Sequence, residues 1–354
     1  MTDISCAAPW NRVSLLPTQK LSPCCAYLDP VEPQSVDMRD ALSDSMFEKI
    51  RLQMSSGISP AGCSTCFKRE MKGISSKRTR LNEKGIPSDI DLKYLEIAVG
   101  TPCNLDCVMC SSAYSSSWVR ADRKLGRKPY QQYQISDELV STFSDIIKEK
   151  KLNVELIGGE PFFNKASHKI IDAMISSGHD HDLSVTTNCT LVDSSTIEKM
   201  EKLNTNVVAS IDATGDLYEY IRGTNWGPVR DNLYALSKSS INTLMLYPTV
   251  TIYNVFSLES VLNLFLDLRS HRPAGKKMEM KINISSFPEY TSISSMAESA
   301  RKKVGTGFTE VSEALRSMPY TGVTQAMNWT WKMNEMRGVK VWDIDHRLEW
   351  LRGE

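Results

Sequence analysis

From about residue 92 onward, short apolar and β-branched runs alternate with stretches whose apolar positions recur every three to four residues. A period of two marks half-buried strands and a period near 3.6 marks amphipathic helices. The pattern predicts six strands near residues 93–99, 153–157, 182–187, 206–211, 244–251 and 279–284. Helices are expected between them at 136–149, 165–177, 194–202, 229–238 and 257–268, with a further helix somewhere in 111–128. Such alternation is that of βα units and a parallel sheet, an α/β fold. Residues 286–354 read as mostly helical, with Trp329, Trp331, Trp342 and Trp350 available for packing. Residues 1–92 differ: turn formers are frequent, and a helical period shows only near 45–54, where Met46, Ile50 and Met54 share a face.

Composition changes this picture in two ways. Lys plus Arg and Asp plus Glu both total 42 in 354 residues, so no global field draws the chain to nucleic acid or to a membrane surface. No apolar run approaches a membrane span and residues 1–12 do not read as a signal peptide, so a cytoplasmic protein is expected. Nine cysteines in a reducing compartment point to metal ligation rather than disulfides.

The densest cysteine run follows the first predicted strand, where residues 100–110 read GTPCNLDCVMC. Cys103, Cys107 and Cys110 stand at C-x3-C-x2-C, a spacing that reaches three corners of one iron–sulfur cube and leaves the fourth iron open. Structural zinc favours paired knuckles and four closed ligands instead. This loop resembles the signature of the radical S-adenosylmethionine (radical SAM) superfamily. The resemblance implies a 4Fe-4S cluster on these three cysteines whose open iron chelates SAM. An electron then cleaves the sulfonium to give a 5′-deoxyadenosyl radical. It also implies a partial (β/α)6 TIM-like barrel over residues 93–285, followed by a C-terminal helical extension over 286–354.

Five more cysteines, Cys6, Cys24, Cys25, Cys63 and Cys66, lie in residues 1–92, where a segment poor in apolar periodicity needs a staple. Their pattern resembles the half-SPASM or twitch module of many radical SAM enzymes, here placed before the barrel. The resemblance implies an auxiliary 4Fe-4S cluster on Cys6, Cys63, Cys66 and one of Cys24 and Cys25, which point opposite ways if the segment is extended. Glu70, Gly73 and Arg78 fit the same group. A zinc-stapled module is the competing reading. Residues 67–84 carry seven basic residues against two acidic ones, a solvated linker or an anion-binding rim.

Further expectations follow from the resemblance. Gly158, Gly159 and Glu160 match the family's GGE motif, where flat backbone admits SAM and Glu160 holds its amino group. Thr187 and Asn188 fall where family members show Thr-Asn-Gly, and Cys189 replaces the usual glycine. A thiol there is a candidate hydrogen-atom donor, although buried cysteine is more often a small hydrophobe. Ser210 and Asp212 alternate to the same side of the fourth strand, as an inward-facing polar pair would. They and Arg222, a possible carboxylate clamp, are assigned to SAM, as is Asn254.

The expected function is hydrogen abstraction from a peptide or protein substrate, with a carbohydrate or nucleoside as alternative. Reduced flavodoxin or ferredoxin is the implied electron donor. Outside this class stand a non-catalytic iron–sulfur electron carrier and a zinc-stapled nucleic-acid-binding protein.

Overall fold

The computed structural model describes residues 4–32, 38–71, 75–305, 307–318 and 321–353, so Gly73 lies outside the described residues. The chain forms two compact units. The first comprises residues 1–102, 133–185 and 202–204, and the second residues 103–132, 186–201 and 205–354.

In the first unit, strand β1 (Arg12–Leu15) pairs antiparallel with β2 (Leu21–Ser22) and parallel with β3 (Tyr94–Ala98). Next in the sheet come β4 (Asn153–Ile157) and β5 (Asp182–Thr187), also parallel. The register aligns two apolar rows, Val13–Leu95–Val154–Leu183 and Leu15–Ile97–Leu156–Val185. Every member of these rows is at most 1% exposed. Burying each aliphatic side chain contributes roughly 1.5–3 kcal/mol, so the rows fix the register against a one-residue slip. The polar row between them, Ser14–Glu96–Glu155–Ser184, faces the other way. There Arg12 reaches Glu96 and Glu155 at 3.4 Å each, and Lys77 reaches Glu96 at 3.1 Å.

Helices Asp137–Glu149 and Lys165–Ser176 belong to the same unit. The first starts at Ser136, whose side chain accepts from Leu139 N, with Asp137 and Glu138 favourably placed at the positive end. Val140, Phe143 and Ile147 are buried at helical spacing. Helix Ser45–Ser55 buries Met46, Ile50 and Met54, as the period predicts. Strand β1 is the unexpected element: it extends the sheet past the first barrel strand.

In the second unit, β6 (Asn204–Ala209), β7 (Thr243–Leu246) and β9 (Lys277–Met280) pair in parallel. A short parallel pair joins β8 (Thr249–Val250) to β10 (Asn283–Ile284). The strand expected at 244–251 is thus two, interrupted at Pro248, whose missing N–H cannot serve a ladder. Helices Ser194–Glu201, Trp226–Lys238 and Leu258–Ser270 fall where periodicity places them, and Gly215–Arg222 is additional. Helix Val323–Arg337 dominates the C-terminal extension. Strand and helix alternate along the chain with parallel pairing, an open partial (β/α) barrel with a C-terminal helical extension. No helix among the described residues is long and apolar enough to cross a membrane.

Candidate functional site: a three-cysteine loop and its cradle

The cysteine loop begins where β3 ends, the edge at which parallel α/β folds place their chemistry. Cys103 and Cys107 are each 8% exposed and pack with Leu105, Met109 and Cys110 in one cluster. Burial pushes the Cys107 and Cys110 thiols up, the proximity of Arg222 opposing it at Cys107. Thiolate ligation by these groups therefore releases protons and requires compensating positive charge.

The loop's backbone is held from several directions within the second unit. Cys103 N donates to Ser116 Oγ at 3.1 Å, Ser117 Oγ donates to Cys103 O at 2.8 Å, and Ser115 Oγ donates to Leu105 O at 2.6 Å. Val108 N donates to Ile221 O at 2.8 Å. Two stacked indoles complete the hold: Trp118 Nε1 donates to Cys107 O at 2.9 Å and Trp329 Nε1 to Val108 O at 3.0 Å. Arg337 donates to Asp106 O at 2.7 Å and Tyr220 O at 2.9 Å, and its Nη1 lies 2.9 Å from Asp106 Oδ1. The serine run, which in isolation reads as a polar helix face, is therefore the floor of the loop, and helix Val323–Arg337 clamps it at Val108 and Asp106.

Arg337→Ala strips two carbonyls and one carboxylate of their donor. We expect a loss of roughly 3 kcal/mol, read by chemical denaturation, because the Arg337 side chain is only 11% exposed.

In the first unit, the turn after β4 crosses the residues leading into the loop. Gly159 N donates to Gly100 O at 2.8 Å and Glu160 N to Pro102 O at 2.9 Å. Gly158 adopts φ 135°, reserved for glycine. A Cβ on Gly159 would lie 2.4 Å from Pro102 O. Glu160 is buried and its Oε1 accepts from Phe162 N at 3.2 Å.

Back in the second unit, Asn188 Nδ2 donates to Asn104 Oδ1 at 3.0 Å, tying the residue after β5 to the cysteine loop. Thr187 Oγ1 accepts from Cys189 N at 3.0 Å and Thr187 O from Ser210 N at 2.9 Å. Asp212 is fully buried, with Arg222 Nε 2.7 Å from its Oδ2. Asn254 donates to Asp212 O at 2.8 Å and Thr249 O at 3.0 Å while accepting from Thr251 N at 2.7 Å. Its amide is thus engaged in bracing the loop that holds Asp212.

The model of the family described as the Radical SAM superfamily matches residues 97–265, just under half of the chain, a span that includes Cys103, Cys107, Cys110 and the turn at residues 158–160. Over those residues the chain is similar to the Radical SAM superfamily. No curated protein matches the sequence. Among solved structures the chain is similar to native anSMEcpe with bound AdoMet and Cp18Cys peptide: 16% identity, 56% of this chain and 54% of that one, TM-score 0.41. It is also similar to Streptococcus suis SuiB bound to precursor peptide SuiA, at 13% identity, 84% and 65% coverage and TM-score 0.43. TYW1 with a lysine–pyruvate adduct bound aligns at 18% identity, 52% and 62% coverage and TM-score 0.32. The chain spans about half to two thirds of the length of these structures.

The remaining cysteines of the chain fall into three places. Cys6, Cys24, Cys63 and Cys66 line one cavity of the first unit, together with Ala26, Tyr27, Arg78 and Leu81. Cys25 is exposed and does not line that cavity. Burial pushes the Cys6 thiol up to about 11 and those of Cys24 and Cys63 up to about 12. Arg78 pairs with Glu70 and donates to Ser5 O at 2.9 Å, so part of the basic stretch is locked against the cavity wall. Among the described residues no three His, Cys, Asp or Glu side chains converge to share a single metal ion. Four thiols around a cavity suit a polynuclear cluster, which takes one cysteine per iron.

Cys189 is fully buried at φ 61°, the left-handed conformation that favours glycine. A side chain there costs roughly 1–2 kcal/mol. Both Cys189→Ala and Cys189→Gly remove the sulfur, but only glycine relieves the strain. Reversing the usual order, the glycine variant is expected to be the more stable by about 1 kcal/mol in equilibrium denaturation.

Proposed function

We propose that the enzyme reductively cleaves SAM and abstracts hydrogen from a peptide or protein substrate. The observation that carries this reading is the gathering of Cys103, Cys107 and Cys110 in one buried, cradled loop inside the matched region. The donor set fits a 4Fe-4S cluster with one open iron. With SAM bound, such a cluster supplies the electron that yields a 5′-deoxyadenosyl radical. Gly158 and Gly159 would present the flat backbone SAM requires, Glu160 would meet its amino group, and Thr187, Asn188, Ser210, Asp212, Arg222 and Asn254 would form or brace its wall.

We assign a second 4Fe-4S cluster to Cys6, Cys24, Cys63 and Cys66, which places Cys24 rather than Cys25 among the ligands. The domain division at residues 92 and 285 follows from the same reading. The resemblance of this N-terminal cysteine set to SPASM and twitch modules supports a peptide or protein over a carbohydrate or nucleoside. Reduced flavodoxin or ferredoxin is the proposed electron source.

Arg78→Ala probes the second site directly. Losing the Glu70 partner and the tie to Ser5 is expected to cost about 2 kcal/mol. Iron should fall selectively at the N-terminal site, with the SAM-dependent signal retained.

The deciding experiment for the function is anaerobic reconstitution followed by reduction with SAM. Formation of 5′-deoxyadenosine supports the reading, with Cys189→Ala retaining SAM cleavage but losing substrate turnover if the thiol is the hydrogen donor. Absence of SAM cleavage by reduced, iron-loaded protein, with a panel of peptides present, overturns it.

A further inference from the structure

We propose that Arg222 is a positioning residue that tunes the cluster held by the cysteine loop, by hydrogen bonding to the Cys107 sulfur. The proposal rests on the reading of Cys103, Cys107 and Cys110 as cluster ligands.

Arg222 is the last residue of helix Gly215–Arg222, and the left-handed Gly223, at φ 73°, ends that helix. Its Nη1 lies 3.8 Å from Cys107 Sγ, within hydrogen-bonding range of a large, diffuse sulfur. On the opposite edge of the same guanidinium, Nε lies 2.7 Å from Asp212 Oδ2. Asp212 in turn is fixed, since its Oδ1 accepts from Thr249 N at 2.7 Å and its carbonyl accepts from Asn254. The cysteine loop is pinned to the same helix end by the Val108 N to Ile221 O bond of 2.8 Å. Both partners of the Arg222–Cys107 contact are therefore located by backbone, and the guanidinium is aimed rather than free to swing.

The energetics also ask for a third partner. Arg222 is 8% exposed and Asp212 fully buried, and a buried ion pair serving only its own neutralisation is often no better than apolar packing. A cysteine that becomes a thiolate on cluster binding adds negative charge at the place the guanidinium reaches. Hydrogen bonds and positive charge at cluster sulfurs stabilise the reduced state and raise its potential. That is the direction an enzyme needs if its cluster must accept an electron before acting on SAM. This role differs from a clamp on the SAM carboxylate, which would act only when SAM is present.

The test compares full-length wild type, Arg222→Lys and Arg222→Gln after anaerobic reconstitution. Each is taken through a redox titration followed by electron paramagnetic resonance, first without SAM. SAM is then added to mark the cluster whose spectrum responds. We expect iron content to be retained and the potential of the SAM-responsive cluster to fall in Arg222→Gln. Arg222→Lys should be intermediate, because it keeps the charge but not the fork, and any second cluster should be unmoved. At a fixed, partly reducing poise the reduced fraction should drop several-fold in Arg222→Gln. An unchanged potential with weakened SAM binding would overturn the proposal in favour of a carboxylate clamp. Loss of iron in both variants would overturn it in favour of a purely structural role. Wild type with no SAM-responsive cluster is a different failure, that of the proposed function itself.

Discussion

Replacing Cys103, Cys107 and Cys110 together by alanine is expected to take iron from about eight to about four per chain and to abolish 5′-deoxyadenosine formation. The specificity of that loss follows from how the loop is held. Its contacts run through carbonyls and amides: Ser115, Ser117, Trp118, Trp329 and Arg337 donate to Leu105 O, Cys103 O, Cys107 O, Val108 O and Asp106 O. None of those bonds uses a thiol, so the triple variant keeps its cradle and its fold. The N-terminal cavity is lined by residues of the other unit and keeps its four thiols. Iron and sulfide assays, with chromatography of the nucleoside product, measure both halves of the expectation. A fall from about four irons to none would leave the catalytic cluster in place and remove the auxiliary one from the N-terminal cysteines.

The loop stands out in the sequence because it is local: eleven consecutive residues carry three cysteines, directly after a mostly apolar strand that holds one carboxylate, Glu96. The strand pattern was equally legible, since Val154, Leu156, Leu183 and Val185 are buried at strict alternation. What was not legible depends on partners distant in sequence. All four residues of β1 are buried, so it shows no alternation, and its parallel partner lies some eighty residues downstream. Ser115, Ser116 and Ser117 read as solvent-facing until the carbonyls they serve are known. Helix Gly215–Arg222 is short and begins with glycine, and its buried Tyr218, Tyr220 and Arg222 blur the apolar stripe. Cys24 and Cys25 lie in a turn after β2 rather than in the extended segment that alternation assumes, and which of them lines the cavity is decided by where Cys6, Cys63 and Cys66 come together. Arg222 carries the same lesson, because its two partners, Asp212 and Cys107, arrive from different segments.

Gly159→Ala is expected to lower 5′-deoxyadenosine formation by at least about 10²-fold, from displacement alone. A methyl group at this position would sit 2.4 Å from Pro102 O and 2.7 Å from Thr101 O. Both obstacles are backbone, so no side chain can rotate out of the way. The strain must move either the end of β4 or residues 101–102, and residue 103 is the first of the proposed cluster ligands. Moving the turn also stretches the Gly159 N to Gly100 O and Glu160 N to Pro102 O bonds, 2.8 and 2.9 Å in the native chain. Overpacking of this kind costs about 1–3 kcal/mol, enough to register in denaturation without unfolding the protein. Gly178→Ala supplies the control for general glycine effects. Gly178 has φ 73° with nothing within 4 Å of a added Cβ, so it should lose about 1 kcal/mol from backbone strain while SAM cleavage stays intact. If the Gly159 variant cleaved SAM at the wild-type rate, the turn would not be the surface against which SAM is held. The assignment of Gly158, Gly159 and Glu160 would then fall, while the cluster assignment, which rests on the cysteine loop, would stand.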